Sequence, residues 1–189
     1  MTPFDYLSVL ISIVLGLSIT QLLGGFAAMV RARERTAFYW PLPVQMFALF
    51  LINIQVWWAL FGLRWIQNWT FAGFFVILLQ PVTLYLMSAF ITPDPVPDGE
   101  RLDQRAFYFR EKNWFFGATL ATLLVSLTKD FFVMRGPVGP YDLAAHGVFI
   151  AMTLTGLLSN RDIVQKTLAP VTLLLYCAYI ALLFVALPG

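Results

Sequence analysis

The chain has 189 residues, of which 60% are hydrophobic and 12% charged, with a mean hydropathy of +0.78. A soluble domain is about half apolar and about a quarter charged, so this composition argues against soluble globular folding. The net charge is +2, and the basic residues are spread over short stretches with no block long enough to grip a phosphate backbone, so nucleic acid is not an expected partner.

Six apolar stretches lie between charged or Pro/Gly breaks, at about 6–30, 40–63, 69–92, 114–134, 142–159 and 167–187. Each is close to the roughly 20 residues that a bilayer crossing needs. The reading is an all-α polytopic transmembrane bundle of about six spans in a single domain over residues 1–189, with short breaks joining neighbours as antiparallel hairpins.

The start, Met1-Thr2-Pro3-Phe4-Asp5, has no positive region, and the apolar run from Tyr6 to Val30 is about twice the length of a signal-peptide core, so the first stretch reads as a retained span. Its small residues Ser8, Ser12, Gly16, Thr20, Gly24 and Ala28 recur every fourth position. Such a row forms a groove into which another helix of the chain, or another copy of it, packs closely. Gln21 in the first span, Asn53 and Gln55 in the second and Gln80 in the third form a set of amides near the midplane. Pro81 removes the next backbone donor and predicts a kink. These amides either line a polar path at the depth transporters use or fix helix register through interhelical bonds worth about 0.6 kcal/mol each.

The long connection begins with Pro93-Asp94-Pro95-Val96-Pro97-Asp98-Gly99, which excludes helix, but Leu102 to Lys112 mixes Phe107, Tyr108 and Phe109 with Arg105 and Arg110. That mixture predicts an interfacial helix leading into the fourth span. In the fourth span Ala118, Thr122 and Ser126 lead along one row to Asp130, which directs this carboxylate toward protein. Lys129 and Asp130 lie near one end of that span, and Asp142 and His146 begin the next across a short hairpin, so these four groups can meet. Asp142 and His146 share a helix face and suit proton or ion handling, structural ion pairing, or ligand binding. The fifth span repeats the small-residue row with Gly147, Ala151, Thr155 and Ser159.

Nine Lys and Arg residues fall in alternate connections: Arg31, Arg33 and Arg35, then Arg101, Arg105, Arg110 and Lys112, then Arg161 and Lys166. The opposite side has only Arg64 and Arg135. Positive charge stays in the cytoplasm, so both termini are expected on the non-cytoplasmic side. Trp40 and Trp114 at one level and Trp65, Trp69 and Tyr141 at the other suit aromatic belts. One cysteine, Cys177, and one histidine, His146, rule out an intramolecular disulfide and a His-rich or thiolate metal cage within the chain. Catalytic templates such as Gly-x-Ser-x-Gly, HExxH or a phosphate loop are absent, so no metal, cofactor or enzymatic reaction is expected.

At Ile19-Thr20-Gln21-Leu22-Leu23, Gln55-Val56-Trp57-Trp58 and Arg110-Glu111-Lys112-Asn113-Trp114-Phe115-Phe116 the chain resembles a group of small bacterial polytopic inner-membrane proteins to which no activity is attached. The resemblance implies a bacterial inner-membrane setting. The expected function is non-enzymatic binding or passage of a small solute or ion. The alternative is a scaffold or assembly subunit, a homo-oligomer or a partner of another membrane protein, with the lipid bilayer as its surroundings.

Overall fold

In the computed structural model, residues 3–66, 68–95, 97, 100–130 and 139–183 are described, and the chain is all-α and 86% helical. Six α-helices lie among the described residues: α1 Pro3–Arg31, α2 Pro41–Ala59, α3 Phe71–Ile91, α4 Gln104–Lys129, α5 Pro140–Leu158 and α6 Asp162–Leu183. A tighter 3-10 stretch, Leu60–Trp65, prolongs α2. Two short strands, β1 Thr36–Ala37 and β2 Leu102–Asp103, pair in parallel and tie the α1–α2 connection to the α3–α4 connection.

Local chemistry explains the helix starts. Pro41 and Pro140 stand in the first turn, where a missing N–H costs nothing. The Thr70 hydroxyl accepts from the Gly73 amide at 3.1 Å. One Asp103 carboxylate oxygen accepts from the Arg105 and Ala106 amides at 2.9 and 3.0 Å, the usual N-cap arrangement. In α1, Asp5 in the first turn and Arg31 in the last complement the helix dipole.

Among the described residues five helices are long and apolar enough to cross a bilayer: α1, α2 with its 3-10 extension, α3, α5 and α6. α4 is not one of them, because its first turns carry Arg105, Arg110, Glu111 and Lys112. The end of the expected fourth span (131–134), Arg135 and the end of the expected sixth span lie outside the described residues.

α4 also differs from the expected interfacial helix followed by a span. It runs unbroken for 26 residues. Gln104, Phe107, Tyr108, Lys112, Phe115, Phe116, Ala118 and Thr122 are all buried along it. Their three-and-four spacing never breaks, so one face packs inward from end to end and nothing bends the helix at the Lys112–Trp114 boundary.

Successive helices are neighbours: α2 packs on α3, α3 on α4 across the long connection, α4 on α5 and α5 on α6, and α6 returns to α2. The result is a closed ring of five helices with α1 outside it, against α3 and α2. Leu42, Met46 and Leu49 of α2, Ile77, Leu84 and Ile91 of α3 and Phe115 and Phe116 of α4 belong to the core. α1 buries the row Ile11, Leu15, Ser18, Leu22, Gly25 and Met29. Ser18 Oγ lies 2.7 Å from Ser88 Oγ of α3.

The small-residue row of α1 therefore faces away from the chain. Ser12, Gly16, Thr20 and Gly24 are exposed, and Ser8 and Ala28 are half-buried. A Cβ added at Gly16 or Gly24 meets nothing within 4 Å. Every-fourth spacing establishes that residues share a face but not where the face turns, and the larger Ile/Leu row has more surface to bury. Gly147, Ala151 and Thr155 of α5 are likewise exposed. The glycines used for close approach are Gly25, against Thr92, and Gly156, against the Phe116 ring.

This distinction is measurable in the purified protein by thermal unfolding. Gly25→Val drives a Cβ into the Thr92 side chain and should cost about 1–3 kcal/mol. Gly24→Val, one residue away in open space, should stay within about 0.5 kcal/mol.

Candidate functional site

At one end of the ring, here the basic end, the starts of α2, α4 and α6 meet the end of α5. The last carbonyls of a helix have no partner within the helix, and α5 meets this requirement with side chains from its neighbours. Lys112 Nζ of α4 donates to Leu157 O at 2.9 Å and Gly156 O at 3.3 Å, and to Asn113 Oδ1 at 3.0 Å. A cation at a helix C-terminus also meets the negative end of the dipole. Gln165 Nε2 of α6 donates to Ser159 O at 2.7 Å and Gly156 O at 3.0 Å, while Gln165 Oε1 accepts from the Tyr108 hydroxyl at 2.9 Å. Gln104 Oε1 accepts from the Tyr39 amide at 2.9 Å. Tyr108, Lys112, Gln104 and Gln165 are among the most deeply buried large side chains.

Around this polar lock runs a charged rim in which Asp162 accepts from Arg105 Nε at 3.1 Å and pairs with Lys166 at 2.6 Å. Burial, reinforced by the Asp162 carboxylate, pushes the Tyr39 hydroxyl well above the ordinary tyrosine range.

Inside the ring, beyond the lock, lies a cavity of about 320 Å³. Its wall on α2 and the 3-10 extension runs from Gln45 to Leu63, about 29 Å of helix. The walls differ along this length. Toward the basic end they are apolar: Leu49, Met87, Phe115, Phe116, Met152 and Leu168. The hydroxyls there turn back on their own helices, with Thr119 on Phe115 O at 2.8 Å, Thr122 on Ala118 O at 2.9 Å and Thr153 on Phe149 O at 2.7 Å. One polar atom is left over in this half. Gln45 Oε1 is buried and accepts no hydrogen bond from the described residues.

Toward the other end the lining is polar and charged. Gln80, Lys129, Asp130, Asp142, His146 and Tyr179 all contribute to it. Tyr179 donates to Asp142 Oδ1 at 2.7 Å. His146 Nδ1 lies 2.9 Å from the Asp142 carbonyl oxygen and 3.6 Å from its carboxylate. Lys129 Nζ is 3.9 Å from Asp130 Oδ1 and donates at 3.4 Å to Gln80 Oε1. Both Lys129 contacts are long. Between the halves the Tyr176 hydroxyl donates to Gln55 Oε1 at 2.8 Å, a bond that closes α6 onto α2. Phe149, Tyr176 and Tyr179 form one aromatic wall with ring centroids 5.8 to 6.1 Å apart.

Two of the four amides singled out in the sequence, Gln55 and Gln80, line the cavity together with the four charged or ionisable groups. Asn53 is fully buried but bonds back to Leu49 O of its own helix at 2.9 Å. It stands two residues from Gln55, about 200° around α2, so the two amides look in different directions. Gln21 is half-buried on α1, outside the ring. The Ala118, Thr122, Ser126, Asp130 row turns inward, and Thr122, Ser126 and Asp130 line the cavity. Sequence reasoning passed over Tyr176 and Tyr179, although they stand three apart on α6, and passed over Gln45 and the Lys112–Gln165–Tyr108 lock. Among the described residues no group of three or more His, Cys, Asp or Glu is placed to hold a metal ion.

The lock makes a stability prediction. Gln165→Leu strips three hydrogen bonds and leaves their partners buried, so it should destabilise the protein by about 2–4 kcal/mol. Tyr108→Phe removes a single bond and should cost about 1 kcal/mol. Thermal or denaturant unfolding of the two variants in detergent measures the difference. No protein-family model matches the chain, nor does any curated protein or solved structure, so its function is read from the site itself.

Proposed function

We propose that this chain is a multi-pass protein of a bacterial inner membrane, with α4 as a sixth crossing and both termini on the non-cytoplasmic side, that binds a small solute in its central cavity without transforming it. The observation that carries this reading is convergence. Gln55 of α2, Gln80 of α3, Lys129 and Asp130 of α4 and Asp142 and His146 of α5 come from four helices to one space of about 320 Å³. Ligand pockets of about 300–1,000 Å³ are the common size, and ionisable groups at membrane depth ordinarily serve a task. The lock underlies the apolar half, so solute enters from the terminal end. Passage to the basic end requires the Lys112 and Gln165 bonds to open.

A second reading has its own supporting observation. The exposed row Ser12, Gly16, Thr20 and Gly24 on α1 is the kind of surface on which membrane helices of two chains approach closely. A scaffold or homo-oligomer would use it. Under that reading Gly16→Leu and Gly24→Leu abolish co-purification with the partner chain, and retained association counts against the row.

Hydration of the cavity tests the first reading directly. Ser126→Cys, in a Cys177→Ser background, places one thiol on the cavity wall. A charged, water-soluble methanethiosulfonate should modify it at a rate within about a hundredfold of a Glu100→Cys thiol on the exposed connection. A Ser126→Cys thiol that stays unmodified would mean a dry, packed interior and would sink the solute site.

A further inference from the structure

We infer that the ligand is an amphipathic organic cation, an amine or quaternary ammonium on an apolar body; this rests on the cavity being a solute site. Three independent features of the cavity converge on that chemistry. The first is charge. Among the described residues the lining has two carboxylates, Asp130 and Asp142, against the one ammonium of Lys129, with the His146 imidazole beside them. The Lys129–Asp130 contact is long at 3.9 Å, and Asp142 is held by a neutral hydroxyl and an imidazole. An unbalanced carboxylate in a low-dielectric interior is costly, and a cationic guest removes that cost.

The second feature is the aromatic wall. Phe149, Tyr176 and Tyr179 stand in mutual ring contact on the cavity surface, and Tyr179 bonds to Asp142. Ring faces attract ammonium groups, most strongly where water is excluded, and aromatic cages are the usual means of holding quaternary nitrogen. A small inorganic cation is served differently, by six or more oxygen ligands. The carboxylates here share their space with three rings, which suits a weakly hydrated organic head.

The third feature is the remaining half of the cavity. Leu49, Phe115, Phe116 and Leu168 offer an apolar chamber, suited to the body of such a molecule and unsuited to a second charge. Gln45 Oε1, about 15 Å along α2 from Gln55, is a buried acceptor without a protein donor among the described residues. It supplies one point at which a donor on the body gains a hydrogen bond. Charge at one end, rings beside it and an apolar chamber beyond define a head-to-tail orientation, with the cation toward Asp130 and Asp142.

The probe is octyltrimethylammonium, titrated calorimetrically into the full chain in nanodiscs of zwitterionic lipid, with empty nanodiscs as blank and octanesulfonate as the anion of the same body. Saturable binding of the cation, with the anion about tenfold or more weaker, is the expected result. Tetramethylammonium, which has the head alone, should bind about a hundredfold more weakly than the octyl compound. Asp130→Asn and Asp142→Asn should each weaken the cation about tenfold, and Tyr176→Leu should do the same while Tyr176→Phe stays within about threefold. Thermal unfolding of each variant checks that it is folded, and the cation-to-anion preference of the unmodified protein needs no variant. Equal affinity for the sulfonate, or unchanged affinity in both Asp variants, overturns the proposal. If Ser126→Cys is modified but the ammonium does not saturate, the ligand class falls and the solute cavity stands; if Ser126→Cys stays unmodified, both fall.

Discussion

A helix that ends inside a protein must still find donors for its last carbonyls, and where no water is present an unmet carbonyl costs several kcal/mol. α5 ends inside. Its carbonyls at Gly156, Leu157 and Ser159 are met by Lys112 from α4 and Gln165 from α6. Those two side chains therefore set the height and rotation of three helices relative to one another. With the α4–α5–α6 unit fixed, α6 is brought against α2 and the Tyr176–Gln55 bond closes the ring. The central cavity is what remains above the lock once five helices surround a space that their side chains do not fill.

The lock also explains the placement of unlike groups at the two ends. Lys112 is neutralised locally by backbone dipoles, so the basic end needs no carboxylate in its interior. Its charged pairs, such as Arg105 with Asp162, sit on the rim. The other end concentrates Lys129, Asp130, Asp142 and His146 on the cavity wall. Apolar layers of Phe115, Phe116 and Leu168 separate the two polar zones. Ions on the wall and an apolar chamber behind them make a space whose polarity changes along its axis, the property a selective binding site needs.

Much of this was legible in spacing, and the rest was hidden for definite reasons. The apolar runs located α1, α2, α3 and α5 to within a few residues, because a period of hydrophobicity and its breaks are local properties. They missed the first ten residues of α4 and the first five of α6, where charged and polar residues interrupt the run. The row ending at Asp130 pointed inward as expected. The row from Ser8 to Ala28 did not pack within the chain, since spacing fixes a shared face while the turn of the helix is set by its neighbours. Asn53 and Gln55 were grouped by depth, although their two-residue separation already placed them on different faces. Lys112 was counted as a loop charge. Nothing local marks it as a cap for a helix more than forty residues downstream, and only the unbroken spacing from Gln104 to Thr122 hinted that its helix continues inward.

The lock has a kinetic side as well. Opening the basic end means parting the four bonds from Lys112 and Gln165 to the last carbonyls of α5 and the Tyr108–Gln165 bond that braces them. At about 1 kcal/mol per bond, that is about 5 kcal/mol, an open population on the order of one molecule in several thousand. Such excursions belong to the microsecond-to-second regime of local unfolding. Opening at the basic end is thus rare, and its frequency is set by two side chains that form no part of the cavity wall.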